Sequence, residues 1–275
     1  MKPVNFDYAR PANVEAALAL LADDSRSVKA IAGSQSLGPM LNMRLVRPDL
    51  LVDITGIDEL RQVEEHDDAI EIGACVTHAD IEDCRVPDVT CGALCSVASG
   101  IAYRAVRNRG TIGGSLTHAD PSADWVSILA AVGAKVTLRG QSGSRTIPVE
   151  DYMLGALEVD LRPGELLVSV SVPRFSSSAR WGYYKSCRKT GEFAQAIGAF
   201  VLDPTRHVSR AVIGATETRP IVVADARHPL GDGSPEQFDD SAVDDLAKSA
   251  GMSDPLERQT HVAALRRAVE AAGRR

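Results

Sequence analysis

Hydrophobic positions along this chain switch repeatedly between a helical and a strand period. Val14, Ala17, Leu18 and Leu21 fall at i, i+3, i+4 and i+7, which predicts an amphipathic helix over residues 13–22 with Asn13 as its cap. Val28 to Ala32 then reads as a buried strand, and Leu50 to Ile54 and Ala69 to Gly73 as further strands. Thr77-His78-Ala79-Asp80 has the form of a capping box opening a short helix. Pro87 to Ser99 and Ala123 to Val132 are expected to be helices; Lys135 to Arg139, Arg145 to Val149 and Leu166 to Val172 are expected to be strands. Ser176-Ser177-Ser178, shortly after Pro173, marks a linker. Beyond it, Gly182 to Cys187, Ala194 to Leu202 and Val208 to Ala215 predict a three-stranded antiparallel sheet. Helices over Ser241 to Ala250 and Pro255 to Ala272 close the chain. The fold class is α+β: two mixed subdomains over residues 1–176, then a smaller sheet-and-helix domain over 177–275.

Composition narrows the function classes. At 275 residues and 44% hydrophobic the chain can bury a substantial core. A net charge of −7 with no basic run gives no footprint for nucleic acid. No stretch approaches the roughly 20 apolar residues of a membrane span, and the start, Met1 to Asp7, lacks a signal-peptide core. A cytoplasmic protein is expected. The five cysteines (Cys75, Cys84, Cys91, Cys95 and Cys187) are an odd number, which fits reduced thiols. Cys91 and Cys95 would share a helical face one turn apart, but no second pair stands at matching spacing, so no metal or iron–sulfur site is expected here.

Two glycine-rich segments, about eighty residues apart, carry the chemistry. The first is Ala32-Gly33-Ser34-Gln35-Ser36-Leu37; the second is Thr111-Ile112-Gly113-Gly114-Ser115, trailed by Asp120 and Asp124. Small residues let a backbone approach phosphate and aim its N–H groups at the oxygens. One such loop can be an ordinary turn, whereas two suggest a ligand with two phosphates, a dinucleotide. Gly38 is followed by Pro39 and Met40 rather than the lysine of a Walker loop, and Gly-x-Gly-x-x-Gly is absent from any strand-to-helix junction. ATP and Rossmann-type NAD sites lose ground accordingly. No Ser/His/Asp triad and no opposed carboxylate pair is visible.

The stretches Ala32 to Leu45, Arg107 to Ser115 and Ala119 to Asp124 resemble the FAD-binding medium subunit of the molybdenum hydroxylases, relatives of xanthine dehydrogenase and aerobic carbon monoxide dehydrogenase. The resemblance extends over essentially the whole chain, including Phe6-Asp7-Tyr8-x-x-Pro11 and Leu166 to Pro173. It implies a two-subdomain FAD-binding domain of the PCMH type before the C-terminal domain. It also implies that Ala32, Gly33, Ser34, Gln35, Ser36 and Leu37, with Thr111, Ile112, Gly113, Gly114 and Ser115, clamp the FAD pyrophosphate through backbone N–H groups and hydroxyls. Asp124 matches a carboxylate holding FAD hydroxyls, Ile101, Leu167 and Lys185 match flavin contacts, and Phe193 matches an aromatic that covers the flavin and gates its acceptor side.

Each residue also has an ordinary role. Asp124 suits the first turn of a helix; Leu167 suits core, Lys185 a solvated strand face, and Phe193 core packing. His118 could face the cofactor, an iron–sulfur partner surface or only water. Ser115 replaces a common asparagine of the family and Glu192 an aspartate; a serine can still donate a hydrogen bond, while the longer Glu192 alters the acceptor side.

The resemblance assigns substrate hydroxylation to a large molybdopterin subunit and electron relay to a small subunit with two [2Fe–2S] clusters. This chain then passes electrons through FAD to an external acceptor, within a dimer of heterotrimers. Two other readings are a stand-alone FAD-dependent oxidase or reductase, for which the residues after 176 leave little room for a substrate cap, and a non-redox nucleotide-binding scaffold. The substrate pocket would lie on another polypeptide. N-heterocycles, aldehydes, purines and carbon monoxide stay open as substrates, and NAD⁺, oxygen or a quinone-linked carrier as acceptor.

Overall fold

A computed structural model describes residues 2–230 and 235–274. Its strands form three principal sheets and a small two-stranded ribbon. Near the N-terminus, Asp7–Ala9 and Val28–Ile31 flank Leu50–Asp53 in an all-parallel three-stranded sheet. Helix Val14–Leu21 connects two of these strands, with Val14, Ala17 and Leu18 packed inward and Asn13 Oδ1 accepting the Ala16 N–H at 2.8 Å. The second sheet has five antiparallel strands in the order Val63–Glu65, Ala69–Gly73, Leu166–Pro173, Lys135–Gly140 and Gly143–Pro148. The third holds Arg180–Ser186, Ala196–Asp203, Val208–Gly214 and Ile221–Val223.

The third sheet thus has four strands where three are expected; Ile221–Val223 is too short and too close to Pro220 to declare itself in the sequence. All eight residues of Ala196–Asp203 are buried, because this inner strand is covered by helix Pro255–Gly273 and by helix Asp124–Val132. Helix Asp124–Val132 is buried at all nine of its positions. It also packs on the five-stranded sheet, and this sandwiching faces Asp124 toward strand Arg180–Ser186.

Several elements differ from expectation for local reasons. The helix expected from Pro87 begins only at Ala93, because the Asp88 carboxylate accepts the N–H groups of Thr90 and Gly92 at 2.9 and 2.7 Å and holds the chain in a turn. Cys91 therefore precedes the helix that carries Cys95, and the two do not form a helical pair. The strand Val28–Ile31 is half-buried and not fully enclosed. Helix Leu37–Asn42, hidden in the sequence by Gly38 and Pro39, follows the first glycine segment directly. The capping box of Thr77 and Asp80 forms as expected.

Candidate functional site

The first glycine segment leaves the parallel sheet at the end of Val28–Ile31 and crosses the surface before helix Leu37–Asn42. Ser34 adopts φ +62°, in the left-handed region, a state found in backbone nests that bind anions. Among the described residues, the N–H groups of Ser34, Gln35, Ser36 and Leu37 meet no protein acceptor, although all four residues are half-buried. Gln35 Nε2 donates to the Gly33 carbonyl at 2.9 Å and steadies the turn. The result is a run of four donors without a protein acceptor among the described residues.

The second segment is built differently. It is not a loop: Thr111 caps helix Ile112–His118, its Oγ1 accepting the Gly114 N–H at 3.1 Å. The Ile112 and Gly113 amides donate to the Val76 and Ala74 carbonyls, both at 3.0 Å, and the Ser115 amide donates to Thr111 O, also at 3.0 Å. These N–H groups are spent inside the protein, so the expectation that they clamp a ligand is corrected. The segment instead offers the exposed Cα face of Gly114 and the half-buried Ser115 side chain.

The two segments meet. A Cβ on Gly33 would stand 1.9 Å from the Arg109 carbonyl oxygen, so glycine is required there for backbone-to-backbone contact. A Cβ on Gly114 would lie 3.9 Å from Ala32 Cβ, so these residues lie close together.

Asp124, Lys185 and Ile101 converge in a second cluster. Lys185 Nζ donates to Asp124 Oδ2 at 3.0 Å and to the Gly100 carbonyl at 2.9 Å, beside Ile101. Tyr183 Oη donates to Asp124 Oδ1 at 2.7 Å. Asp124 stands in the first turn of its helix, as expected, and its own backbone N–H also favours the anion. Burial pushes its carboxyl up, and Lys185 and Tyr183 oppose that rise by favouring the anion. Tyr183 in turn is pushed well up, first by burial and then by the Asp124 charge.

The turn carrying Ile101 is gripped from below. Arg107 Nη1 donates to the Ile101 and Ala102 carbonyls at 2.8 and 3.1 Å, while its Nε and Nη2 form a two-point pair with Glu82 at 2.7 and 2.9 Å. That pairing holds the Glu82 carboxyl below its usual range. A further strut runs through His78: Trp125 Nε1 donates to its Nδ1 at 2.9 Å, and its Nε2 lies where a Cβ on Gly110 would be only 2.7 Å away. Burial lowers His78 to about 4, so the ring is a neutral acceptor.

Other expected residues lie elsewhere. Ile112 and Leu167 turn their side chains into the main core, so neither lines an open face and both have the packing role. Phe193 is 76% exposed, which excludes core packing. Its loop touches the Ile101 turn, since a Cβ on Gly191 would meet the Ala102 carbonyl oxygen at 2.7 Å. His118 is half-buried at the end of its helix. A cavity of about 610 Å³ lies apart from all of these, between Glu150, Arg219 and Met252.

Tyr183, Arg107, Glu82 and His78 were not assigned to the site from sequence. Tyr183 carried one usable signal, standing two strand residues before Lys185 and hence on the same face. Arg107 sat inside a quoted motif, but its partners are scattered through the chain.

Residues 4–175 match the family described as the FAD binding domain in molybdopterin dehydrogenase. The chain is 40% identical over 215 residues to the 6-hydroxypseudooxynicotine dehydrogenase complex subunit alpha of Paenarthrobacter nicotinovorans, covering 78% of this chain and 73% of that one. It is 36% identical over 221 residues to the carbon monoxide dehydrogenase medium chain of Hydrogenophaga pseudoflava, covering 80% and 77% of the two chains. Among solved structures, carbon monoxide dehydrogenase from Hydrogenophaga pseudoflava lacking the Mo-pyranopterin moiety superposes with a TM-score of 0.87 at 31% identity, over 100% of this chain and 99% of the other. Quinoline 2-oxidoreductase from Pseudomonas putida 86 superposes at 0.86 with 32% identity, over 100% and 99%. The fold, the adjacent glycine segments and these likenesses agree, and the chain belongs to the FAD-binding medium subunits of the molybdenum hydroxylase family.

Proposed function

We propose that this oxidoreductase subunit holds the pyrophosphate of its FAD on the Ser34–Leu37 amides. The four unused, half-buried donors carry this reading: they match the chemistry of a diphosphate, whose oxygens accept several hydrogen bonds at once. Ala32 and Gly114 put no large side chain beside these amides, Gly33 and Gly113 allow close packing on the Arg109 and Ala74 backbones, and Ser115 would add a hydroxyl donor. Asp124 would accept hydrogen bonds from FAD hydroxyls, oriented by Tyr183 and Lys185. Ile101 and Lys185 would border the flavin end, and exposed Phe193 would cover it on the acceptor side. Ile112 and Leu167 would contribute only by packing behind the site.

When bound, FAD supplies an electron relay between the [2Fe–2S] clusters of a small partner subunit and an external acceptor, with hydroxylation on a large molybdopterin subunit. This chain's residues bind and orient the cofactor and exclude water from it. A dimer of heterotrimers and a cytoplasmic location complete the proposal; among the described residues no helix is long and apolar enough to cross a membrane. The division into residues 1–176, with two subdomains, and 177–275 is supported by the separate N-terminal, central and C-terminal sheets.

Reconstitution tests the proposal. The isolated chain should take up FAD and acquire its visible absorption, which candidate substrates leave unbleached; the complex assembled with large and small subunits should bleach with its own substrate. Rapid reduction of the isolated chain by a substrate would instead establish a self-sufficient flavoenzyme.

A further inference from the structure

Cys84 and Cys95 are separated by ten residues in sequence, yet their Sγ atoms lie 2.8 Å apart. Cys84 follows helix His78–Glu82, is exposed, and has φ +53°, a backbone state that L residues adopt at a cost. Cys95 lies in helix Ala93–Ser99 and is half-buried, its Sγ donating to the Glu82 carbonyl at 3.1 Å. Two other cysteines make contacts elsewhere: Cys75 is buried against the Ile54 carbonyl, and Cys91 contacts the Ser176 carbonyl. Among the described residues no group of three or more His, Cys, Asp or Glu could hold a metal ion, so a soft cation is not the natural occupant.

We propose that Cys84 and Cys95 form a dithiol site that a hydroperoxide converts into a reversible disulfide, bracing the turn at Gly100–Ala102. The exposed Cys84 thiolate attacks a peroxide oxygen and breaks the O–O bond, giving a sulfenic acid and hydroxide. The Cys95 sulfur then attacks the Cys84 sulfur, forming the S–S bond as hydroxide leaves and the Cys95 proton completes a water. Two thiols and one hydrogen peroxide become one disulfide and two waters. Two electrons pass from sulfur to oxygen, and an added dithiol reverses the change. Cys95 is placed for the second step, its Sγ already 2.8 Å from the Cys84 Sγ; its hydrogen bond with Cys84, together with burial, pushes its thiol up to about 11, so its proton leaves as the sulfur attacks.

The location gives the bond a structural consequence. Cys95's helix ends at Ser99, immediately before Gly100, whose carbonyl accepts from Lys185. Two residues before Cys84, Glu82 holds Arg107, which holds the Ile101 and Ala102 carbonyls. A covalent link between residues 84 and 95 therefore ties together the two supports of that turn. This inference does not depend on FAD being the ligand.

The test treats the 275-residue chain with hydrogen peroxide and maps thiols by peptide mass spectrometry, with Cys84→Ser and Cys95→Ser alongside. The wild type should lose two thiols, yield a single peptide cross-link between residues 84 and 95, and recover both thiols with dithiothreitol. Cys95→Ser should stop at a sulfenic acid on Cys84 that dimedone traps, and Cys84→Ser should leave Cys95 reduced. Hydrogen exchange of amides over residues 96–107 should slow severalfold in the oxidised form. Both thiols remaining free, a cross-link to any other cysteine, or unchanged exchange across that turn would overturn the proposal.

Discussion

Lys185 Nζ stands 3.0 Å from the Asp124 carboxylate, joining a strand of the C-terminal sheet to the first turn of a buried helix 61 residues earlier. The lysine and aspartate side chains are only 11% and 8% exposed, so the ion pair is held largely out of water.

Asp124→Asn should therefore act on the empty protein as well as on the cofactor. It leaves the Lys185 ammonium buried against a neutral amide, and apo stability should fall by about 2 kcal/mol. The double variant Asp124→Asn/Lys185→Met should recover part of that loss, because no unpaired charge remains. FAD affinity of the single variant should drop roughly ten- to a hundredfold. Urea unfolding and FAD titration check both; single and double variants that lose stability additively would mean the pair is not coupled.

The neutral His78 predicts an acid-sensitive fold. The unfolded chain binds a proton at this side chain near its usual 6.5, whereas the folded chain resists until about 4. Its contribution is complete above about pH 6.5 and is lost on acidification towards pH 4, a decline of about 3 kcal/mol. His78→Gln keeps an acceptor for Trp125 Nε1 but no titrating group, so its stability curve over this window should be flatter by up to one proton. Equal slopes for the two proteins would remove His78 from the account.

Gly33→Ala places a Cβ against the Arg109 carbonyl oxygen, with backbone on both sides and no flexible side chain to yield. Apo stability should fall by about 1–3 kcal/mol, and FAD binding should weaken with it as the two segments separate. Ser34→Gly is the matching control. It suits the positive φ of that position, keeps the amide, and should be neutral or stabilising with FAD binding retained. Thermal melting and FAD titration of both variants make the comparison.

Arg107→Lys retains the charge but not the geometry that joins Glu82 to two carbonyls at once. Proteolysis and hydrogen exchange at residues 100–104 should rise, and FAD should dissociate several times faster. A lysine variant with wild-type exchange at this turn would show that the Arg107 fork does not hold it.

Much of this architecture was readable in the chain. The period of Val14, Ala17 and Leu18, the Asn13 cap and the Thr77–Asp80 capping box depend on neighbours within four residues, and the helix and its caps form accordingly. The first glycine segment and Asp124 were likewise marked by local composition. Where local reading failed, a nearby side chain or a distant backbone had changed the outcome. Asp88 delays the helix expected from Pro87, and the Val76 and Ala74 carbonyls consume amides that an isolated Gly-Gly segment would leave free.

By itself, then, the sequence determined the longer helices and most of the strands, the family, and the two segments that bear the glycines, because period, capping and turn chemistry act over a few residues. Only the tertiary structure decided which segment keeps its donors free, that Tyr183 and Lys185 share the Asp124 carboxylate, that Arg107 supports Ile101, and that Cys84 meets Cys95. Those relationships join residues brought together by sheet order and helix packing, and contacts across such packing leave no periodic trace along the chain.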